Sequence, residues 1–206
     1  MKKLILFLII IGGLLLTLGI YRITSIAKLY KEAPIVKTIA PRAYPNDPIR
    51  GNSQAPVTII VFSDYQCPSC KAFDQTVRKL LDVYPDKLRL VWKDFPLSYH
   101  TESPRAALAA RCAGQQGKYW QYHDSLYDQQ DNLAVELYGK IAVEIGLDAK
   151  RWQQCYDSGS GYEAVQAGQA QGTAAGIDGV PAVFINGKLT DDVSYSSLEK
   201  IITAGQ

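Results

Sequence analysis

Residues 57–70 have the sequence VTIIVFSDYQCPSC. The run up to Phe62 is apolar or β-branched without alternation, which is typical of a short strand that is buried on both faces. Residues 68–83 follow with a helical pattern that places their apolar side chains on one face. Residues 88–92 predict a second strand. Strand, helix and strand in this order predict a βαβ unit with a parallel pair of strands.

The segment Cys67-Pro68-Ser69-Cys70 lies at the junction between the first predicted strand and the first predicted helix. Pro68 suits the first position of a helix, because its missing N–H would have no partner there. Cys67 is therefore expected at the helix N-terminus, where unpaired amides and the helix dipole favour a thiolate. Cysteines of CxxC motifs in such positions have pKa values of roughly 3.5 to 7.5, against ~8.5 for free cysteine.

The spacing of the two cysteines indicates redox chemistry. Cys70 can reach Cys67 within one helical turn, so that one thiol attacks a disulfide and the other resolves the mixed disulfide. We expect Cys67 to be exposed and Cys70 to be buried. A zinc site is the first alternative, but the other cysteines are isolated and no His-x-x-x-His pattern accompanies them, so no metal site is predicted. A purely structural disulfide is the second, and its short loop would gain little entropy.

A second pair of cysteines follows from the count of four, which allows three pairings. Because Cys67 and Cys70 are close in sequence, Cys112 is expected to pair with Cys155. Closing this separation of 43 residues stabilises a fold by ~4 kcal/mol in the chain-entropy model. A structural disulfide is favoured over a second redox pair, since neither residue lies in a CxxC motif or at an obvious helix start.

In the remainder of the domain the predicted secondary structure changes twice. Residues 102–176 carry only helical patterns. Strand chemistry returns at residues 181–185, PAVFI, and Asn186-Gly187 is a strong hairpin signal. A last helix is predicted over about residues 196–204. The predicted fold is therefore a small α/β sheet domain that is interrupted by helices at about residues 101–176.

The N-terminus predicts export. Lys2 and Lys3 precede an uncharged run from Leu4 to Ile20, which as a helix would measure roughly 26 Å against a hydrocarbon core of ~30 Å. The lysines predict a cytoplasmic start, with the rest of the chain outside. Residues 1–26 are interpreted as an uncleaved transmembrane anchor, and a signal peptide cleaved after Ala27 is the alternative.

Length and composition indicate the number of domains and the classes of partner that are not expected. A length of 206 residues fits one main domain. Residues 27–48 are rich in proline and predict an extended spacer, with the folded domain over residues 49–206. The 22 basic and 20 acidic residues form no basic stripe, so no nucleic-acid partner is expected. His100 and His123 are interpreted as residues with structural hydrogen bonds.

Several segments together resemble the DsbA-like thioredoxin family over about residues 47–206. They are DPIRG (47–51), APVTI (55–59), FSDYQCPSC (62–70), FPL (95–97), GKYW (117–120) and GVPAVFING (179–187). The resemblance implies a thioredoxin-like fold with an inserted helical domain. It also implies that Pro181 is a cis-proline facing the CPSC motif, and that Val180 offers backbone groups to an extended substrate. From the residues alone, Pro181 is equally well an ordinary proline at the start of a strand.

Further implications concern chemistry. The pairing of Cys112 with Cys155 resembles a second disulfide found in part of the family. Where the family often has a buried acid that assists proton transfer, this chain has Val61, and Asp64 either shapes the turn or caps the helix. The dipeptide Pro68-Ser69 also replaces the Pro-His of the archetypal oxidase.

The expected function is the introduction of disulfides into thiol-containing exported proteins, without a cofactor. The resemblance implies reoxidation by a quinone-linked membrane partner of the DsbB or VKOR-like type. We expect a single-pass protein of the cell membrane with its catalytic domain on the periplasmic or cell-surface side. The alternatives are a reductase or isomerase of the same fold, a scaffold with an incidental disulfide, and a thiol metal-binding protein. The last is disfavoured because Met1 is the only methionine.

Overall fold

The computed structural model describes residues 2–31 and 39–204, and the chain divides into two compact units, residues 1–37 and residues 38–206. In the first unit a single helix, α1, spans Lys2–Lys31 and so includes the start of the predicted spacer. Within residues 2–31 and 39–204, no helix has both the length and the apolar character that a membrane crossing requires. The predicted transmembrane anchor is therefore not supported. Residues 32–38 of the predicted spacer lie outside the described residues.

The second unit is built on a mixed sheet of five strands in the order β1-β3-β2-β4-β5. The strands are β1 (Ile49–Gly51), β2 (Val57–Ser63), β3 (Leu88–Asp94), β4 (Ala182–Ile185) and β5 (Lys188–Thr190). Strands β2 and β3 are parallel, as the βαβ prediction requires, and the other neighbouring pairs are antiparallel. The central strand β2 is almost completely buried, which explains its unbroken apolar sequence.

Helices cover this sheet and form the insertion. They are α2 (Pro68–Val83), α3 (Ser103–Gly114), α4 (Tyr119–Asp128), α5 (Val135–Glu144), α6 (Ala149–Ser158), α7 (Tyr162–Ala174) and α8 (Tyr195–Ala204), with a short 3-10 turn at Gln130–Asn132. The block from α3 to α7 separates β3 from β4 and lies within the predicted insertion. The architecture is the expected thioredoxin-like α/β fold.

Helix α7 lies unusually close to the end of β3. A Cβ atom added to Gly168 would lie 2.5 Å from the carbonyl oxygen of Asp94, and one added to Gly172 would lie 2.6 Å from the ring of Phe95. Real Cβ atoms do not approach neighbours so closely, so only glycine allows this packing. The two glycines thus set how near the inserted helices lie to the sheet.

The predicted disulfide between Cys112 and Cys155 is present and joins α3 to α6. Its Cα atoms are 5.7 Å apart, within the ordinary range for a disulfide. Cys112 is 1% exposed and Cys155 is 7% exposed. The bond therefore links two helices of the insertion inside the core.

Candidate active site

The backbone places Cys67 at the start of α2. Strand β2 ends at Ser63, a short turn follows, and Cys67 is the N-cap residue with Pro68 in the first helical turn. The amide of Cys67 donates to the carbonyl of Asp64 at 3.2 Å. The predicted position at the positive end of the helix dipole is confirmed.

Asp64 holds the turn that carries the motif. Its carboxylate is buried and accepts hydrogen bonds from the backbone amide of Gln66 at 2.7 Å and from that of Leu97 at 2.8 Å. A ring nitrogen of His100, Nδ1, lies 2.9 Å from the same carboxylate. Of the two roles considered for Asp64, the structure shows the shaping of the turn. The carboxylate of Asp64 also joins that turn to Leu97 and His100, in the segment after β3.

The two thiols of the motif are free and both are buried. Cys70 has no exposed surface, as predicted, whereas Cys67 is only 7% exposed and so differs from the exposed thiol that was expected. The sulfur of Cys67 lies 3.0 Å from Ser69 Oγ and 3.7 Å from the carbonyl oxygen of Val180. A segment distant in sequence therefore covers the sulfur, which local sequence patterns do not reveal.

The surroundings of the two sulfurs shift their pKa values in opposite directions. A hydrogen bond from the Cys70 thiol lowers the pKa of Cys67 to about 5, against the opposing effect of burial, and Ser69 and the backbone amides of both residues contribute further. Burial raises the pKa of Cys70 well above its ordinary value, although a hydrogen bond from Ser63 opposes the rise. At neutral pH the pair is therefore a Cys67 thiolate beside a Cys70 thiol.

The peptide bond between Val180 and Pro181 is cis, as the resemblance implies. Strand β4 begins at the next residue, Ala182. Val180 and Pro181 therefore lie outside the strand pairing of the sheet, and the carbonyl of Val180 points at the sulfur of Cys67. This arrangement brings together all four residues of the motif and the two predicted substrate-binding residues.

Gln130, which the sequence did not single out, reaches the motif from the inserted helices. Its side-chain amide donates to the carbonyl of Tyr65 at 2.7 Å and to that of Cys67 at 3.0 Å. Gln66 connects the turn before Cys67 to the start of α3. Its side-chain oxygen accepts hydrogen bonds from the backbone amides of Glu102 and Ser103. Glutamines in polar surroundings carry no pattern that identifies such contacts.

His123 anchors a buried polar chain beneath the motif. Its Nε2 lies 3.0 Å from Asp74 and its Nδ1 lies 2.8 Å from the hydroxyl of Tyr65. That hydroxyl is 3.0 Å from the hydroxyl of Tyr119. The structural role expected for His123 is confirmed, and the chain connects α2 and α4 with the turn before Cys67.

Asp74, His123 and Asp124 lie close enough together to hold a metal ion. Arg78 contacts the first carboxylate at 2.9 Å, and Arg50 binds the other through two hydrogen bonds of 3.0 and 2.6 Å. The charges of both carboxylates are thus balanced by arginine. The cluster fits a structural ion-pair network.

Hydroxyl groups stand near Cys70 where the family often has an acid. Val61 is fully buried in β2. The hydroxyl of Ser63, a hydrogen-bond partner of Cys70, lies 3.1 Å from the hydroxyl of Tyr127. Tyr127 also donates to the carbonyl of Asp64 at 3.3 Å. The buried sulfur therefore has a neutral hydroxyl partner in Ser63, and the backbone of Asp64 is a further polar contact.

Comparisons with known proteins place this site in a family. A family model described as Thioredoxin matches residues 43–204. A thioredoxin-like oxidoreductase from Silicibacter pomeroyi is 30% identical with a TM-score of 0.70, and the match covers 78% of this chain and 92% of that one. BdbD from Bacillus subtilis, in oxidised form, also has a TM-score of 0.70 and the same coverage, and at 21% identity it shows likeness of fold alone.

Curated relatives contain a similar stretch within longer chains. The Na(+)/H(+) antiporter NhaA 3 of Salinispora tropica is 31% identical over 155 residues, which are 75% of this chain and 24% of the relative. The antiporter NhaA 1 of Salinispora arenicola matches with the same identity and coverage. The chain thus spans about a quarter of the length of these relatives. Its matched family model, its fold and its CPSC motif together show that the chain belongs to the thioredoxin family.

Proposed function

We propose that this protein is an oxidase that introduces disulfide bonds into exported proteins. The observation that carries the proposal is the contrast between the two thiols, with the pKa of Cys67 lowered to about 5 and that of Cys70 raised. Stabilising the thiolate stabilises the reduced protein, and a stable reduced form makes the corresponding disulfide a stronger oxidant.

The reaction is a transfer of two electrons from substrate to protein. In the oxidised protein, a substrate thiolate attacks the sulfur of Cys67, the Cys67–Cys70 bond breaks, and a mixed disulfide forms. Cys70 leaves and takes up a proton, since burial favours its neutral thiol. A second substrate thiolate then attacks the mixed disulfide and expels Cys67 as a thiolate. The substrate gains a disulfide and the protein becomes a dithiol.

The direction of this last step depends on the stability of the leaving group. A thiol with a low pKa leaves faster than one with an ordinary pKa. Cys67 is stabilised as a thiolate by the Ser69 hydroxyl and by the amides of the first turn of α2. These groups therefore favour release of oxidised substrate over its retention.

The proposed location is outside the cytoplasm, on the periplasmic or cell-surface side. The buried Cys112–Cys155 disulfide supports it, because such bonds persist mainly in oxidising compartments. Attachment to the cell membrane through the N-terminus rests on the sequence alone, on Lys2, Lys3 and the uncharged residues after them. The proposed partners are reduced exported proteins and a quinone-linked membrane oxidase of the DsbB or VKOR-like type, which would restore the disulfide.

The reduction potential of the full chain, equilibrated with glutathione at pH 7, tests the direction of electron flow. An oxidase should lie between about −120 and −200 mV, whereas thioredoxin lies near −270 mV. A value near that of thioredoxin would contradict the proposal and favour a reductase. A Cys67→Ser variant, which cannot form the disulfide, provides the baseline.

A further inference from the structure

A groove opens beside Cys67 and has a volume of about 650 Å³. Three segments line it: the first turns of α2, the loop of residues 178–181, and residues 189–194 at and after β5. Ser69 and Val180 belong to this lining and also contact the sulfur of Cys67, at 3.0 and 3.7 Å. A polypeptide that occupies the groove would therefore lead directly to the reactive sulfur.

Part of the groove lining is apolar. Phe73, Val180, Leu189 and Val193 contribute to its lining, and Leu189 is 59% exposed on the edge strand β5. Leu189 therefore offers the groove an exposed apolar surface that an apolar side chain of a substrate can cover. The groove thus suits an extended segment of a partially unfolded polypeptide.

The groove lining also includes two acidic residues. Asp178 and Asp191 line the groove and are exposed, and none of the described residues in the lining is basic. Within the described part of the chain, neither carboxylate lies within ion-pair distance of a basic side chain. Other carboxylates are paired, such as Asp124 with Arg50 and Glu102 with Arg105. The groove lining therefore carries two carboxylates that have no ion-pair partner among the described residues.

We propose that the groove binds a substrate segment that carries lysine or arginine near its reactive cysteine, together with apolar residues. The inference rests on the proposed function and names the class of substrate that the site prefers. The attraction acts mainly on the rate of encounter and on the orientation of the substrate, and it weakens as salt screens the exposed charges.

Three peptides of one design test the proposal. Each has a single cysteine next to a leucine and is flanked on both sides by two lysines, two glutamines or two glutamates. The rate of mixed-disulfide formation with the oxidised full chain is measured at low and at high salt. Each rate is divided by the rate of the same peptide with 2-hydroxyethyl disulfide, an uncharged compound, which removes the effect of the flanking charges on the peptide thiol.

The lysine peptide should react about tenfold faster than the glutamate peptide at low salt, with the glutamine peptide between them. High salt should reduce this ratio. A variant with both Asp178→Asn and Asp191→Asn should bring the ratio close to one. Asp86→Asn, which removes an exposed carboxylate that does not line the groove, should leave the ratio unchanged.

Equal normalised rates for the three peptides would overturn the inference while leaving the proposed oxidase activity intact. A ratio that survives in the double variant would also overturn it, because the selectivity would then come from another surface. If the wild-type chain forms a mixed disulfide with none of the peptides faster than Cys67→Ser does, the proposed function fails and the inference fails with it.

Discussion

The two cysteine pairs of this domain differ in their position within helices. Cys67 precedes the first turn of α2, whereas Cys112 and Cys155 lie in the last turns of α3 and α6. The positive end of a helix dipole stabilises a thiolate, and the negative end disfavours one. The first pair is a polarised dithiol, and the second is a disulfide inside the core. All four residues are cysteines, so the residue type cannot explain the difference. The comparison indicates that the end of the helix at which a cysteine lies distinguishes the reactive sulfur from the structural ones.

The strongest way to break the comparison is to remove each reactive sulfur in turn. Cys67→Ser should reduce peptide oxidation to the level without protein, because the Cys67–Cys70 disulfide that the substrate thiolate attacks cannot form. Cys70→Ser keeps the attacking sulfur and should accumulate a mixed disulfide at Cys67. Mass spectrometry measures the first outcome after mixing with a peptide that carries two thiols, and the second after mixing with a disulfide-containing peptide. Residual turnover in Cys67→Ser would show that another sulfur performs the chemistry.

Removal of the second pair should affect stability instead of chemistry. The double variant Cys112→Ala with Cys155→Ala should lower the free energy of unfolding by about 2–5 kcal/mol. Urea denaturation of the oxidised protein, compared with the wild type, measures the loss. The variant should still oxidise peptides at conditions where it is folded. Loss of oxidation in a folded variant would mean that the second disulfide takes part in the reaction.

The pH dependence of alkylation sharpens the contrast in acidity. Reaction of the reduced protein with iodoacetamide should rise about tenfold per pH unit below the pKa of Cys67 and level off above about 5. An unperturbed thiol would level off only above ~8.5. A midpoint near that higher value would remove the basis of the proposed oxidase function.

The same pKa predicts how the stability of the reduced protein depends on pH. Because the folded state lowers the pKa of Cys67, its stabilising contribution is complete above the unfolded value of ~8.5. It decreases as the pH falls and is lost when the pH passes through about 5. Urea unfolding of the reduced protein should show this trend. Cys67→Ser, which cannot ionise at this position, should lack it.

The smallest expected effect concerns Ser69. Its hydroxyl lies 3.0 Å from the sulfur of Cys67 and helps to lower the pKa of that thiol. Ser69→Ala should move the alkylation midpoint upward by about one pH unit, since a hydrogen bond to a charged group contributes about 1.5–3 kcal/mol. Thr76→Ala, which removes an exposed hydroxyl from the same helix, should leave the midpoint in place.

The sequence predicted the features that depend on neighbouring residues. The βαβ unit, the start of α2 at Pro68 and the pairing of Cys112 with Cys155 follow from local pattern, from spacing and from the small number of cysteines. The short edge strand β1 was not identified, because its three residues gain their strand conformation from pairing with β3.

Contacts between distant segments could not be predicted in the same way. Gln130 lies 63 residues from Cys67 in sequence, and Asp64 lies 36 residues from His100. The position of Val180 over the Cys67 sulfur, 113 residues away, was expected only from the family resemblance and not from local pattern. Such contacts depend on how the insertion and the segments on either side of it pack against the start of α2, and no periodicity in a single sequence records that geometry.

The narrow gap between α7 and β3 has a consequence for the tolerance of this domain to mutation. Gly168 and Gly172 perform no chemistry, yet even a methyl group at either position would act as a wedge between the insertion and the sheet. In a saturation mutagenesis screen for activity, both positions should therefore be as intolerant as the cysteines. The amount of protein in the cell would distinguish the two classes of variant. Variants of Gly168 and Gly172 should be degraded, whereas variants of the cysteines should accumulate normally.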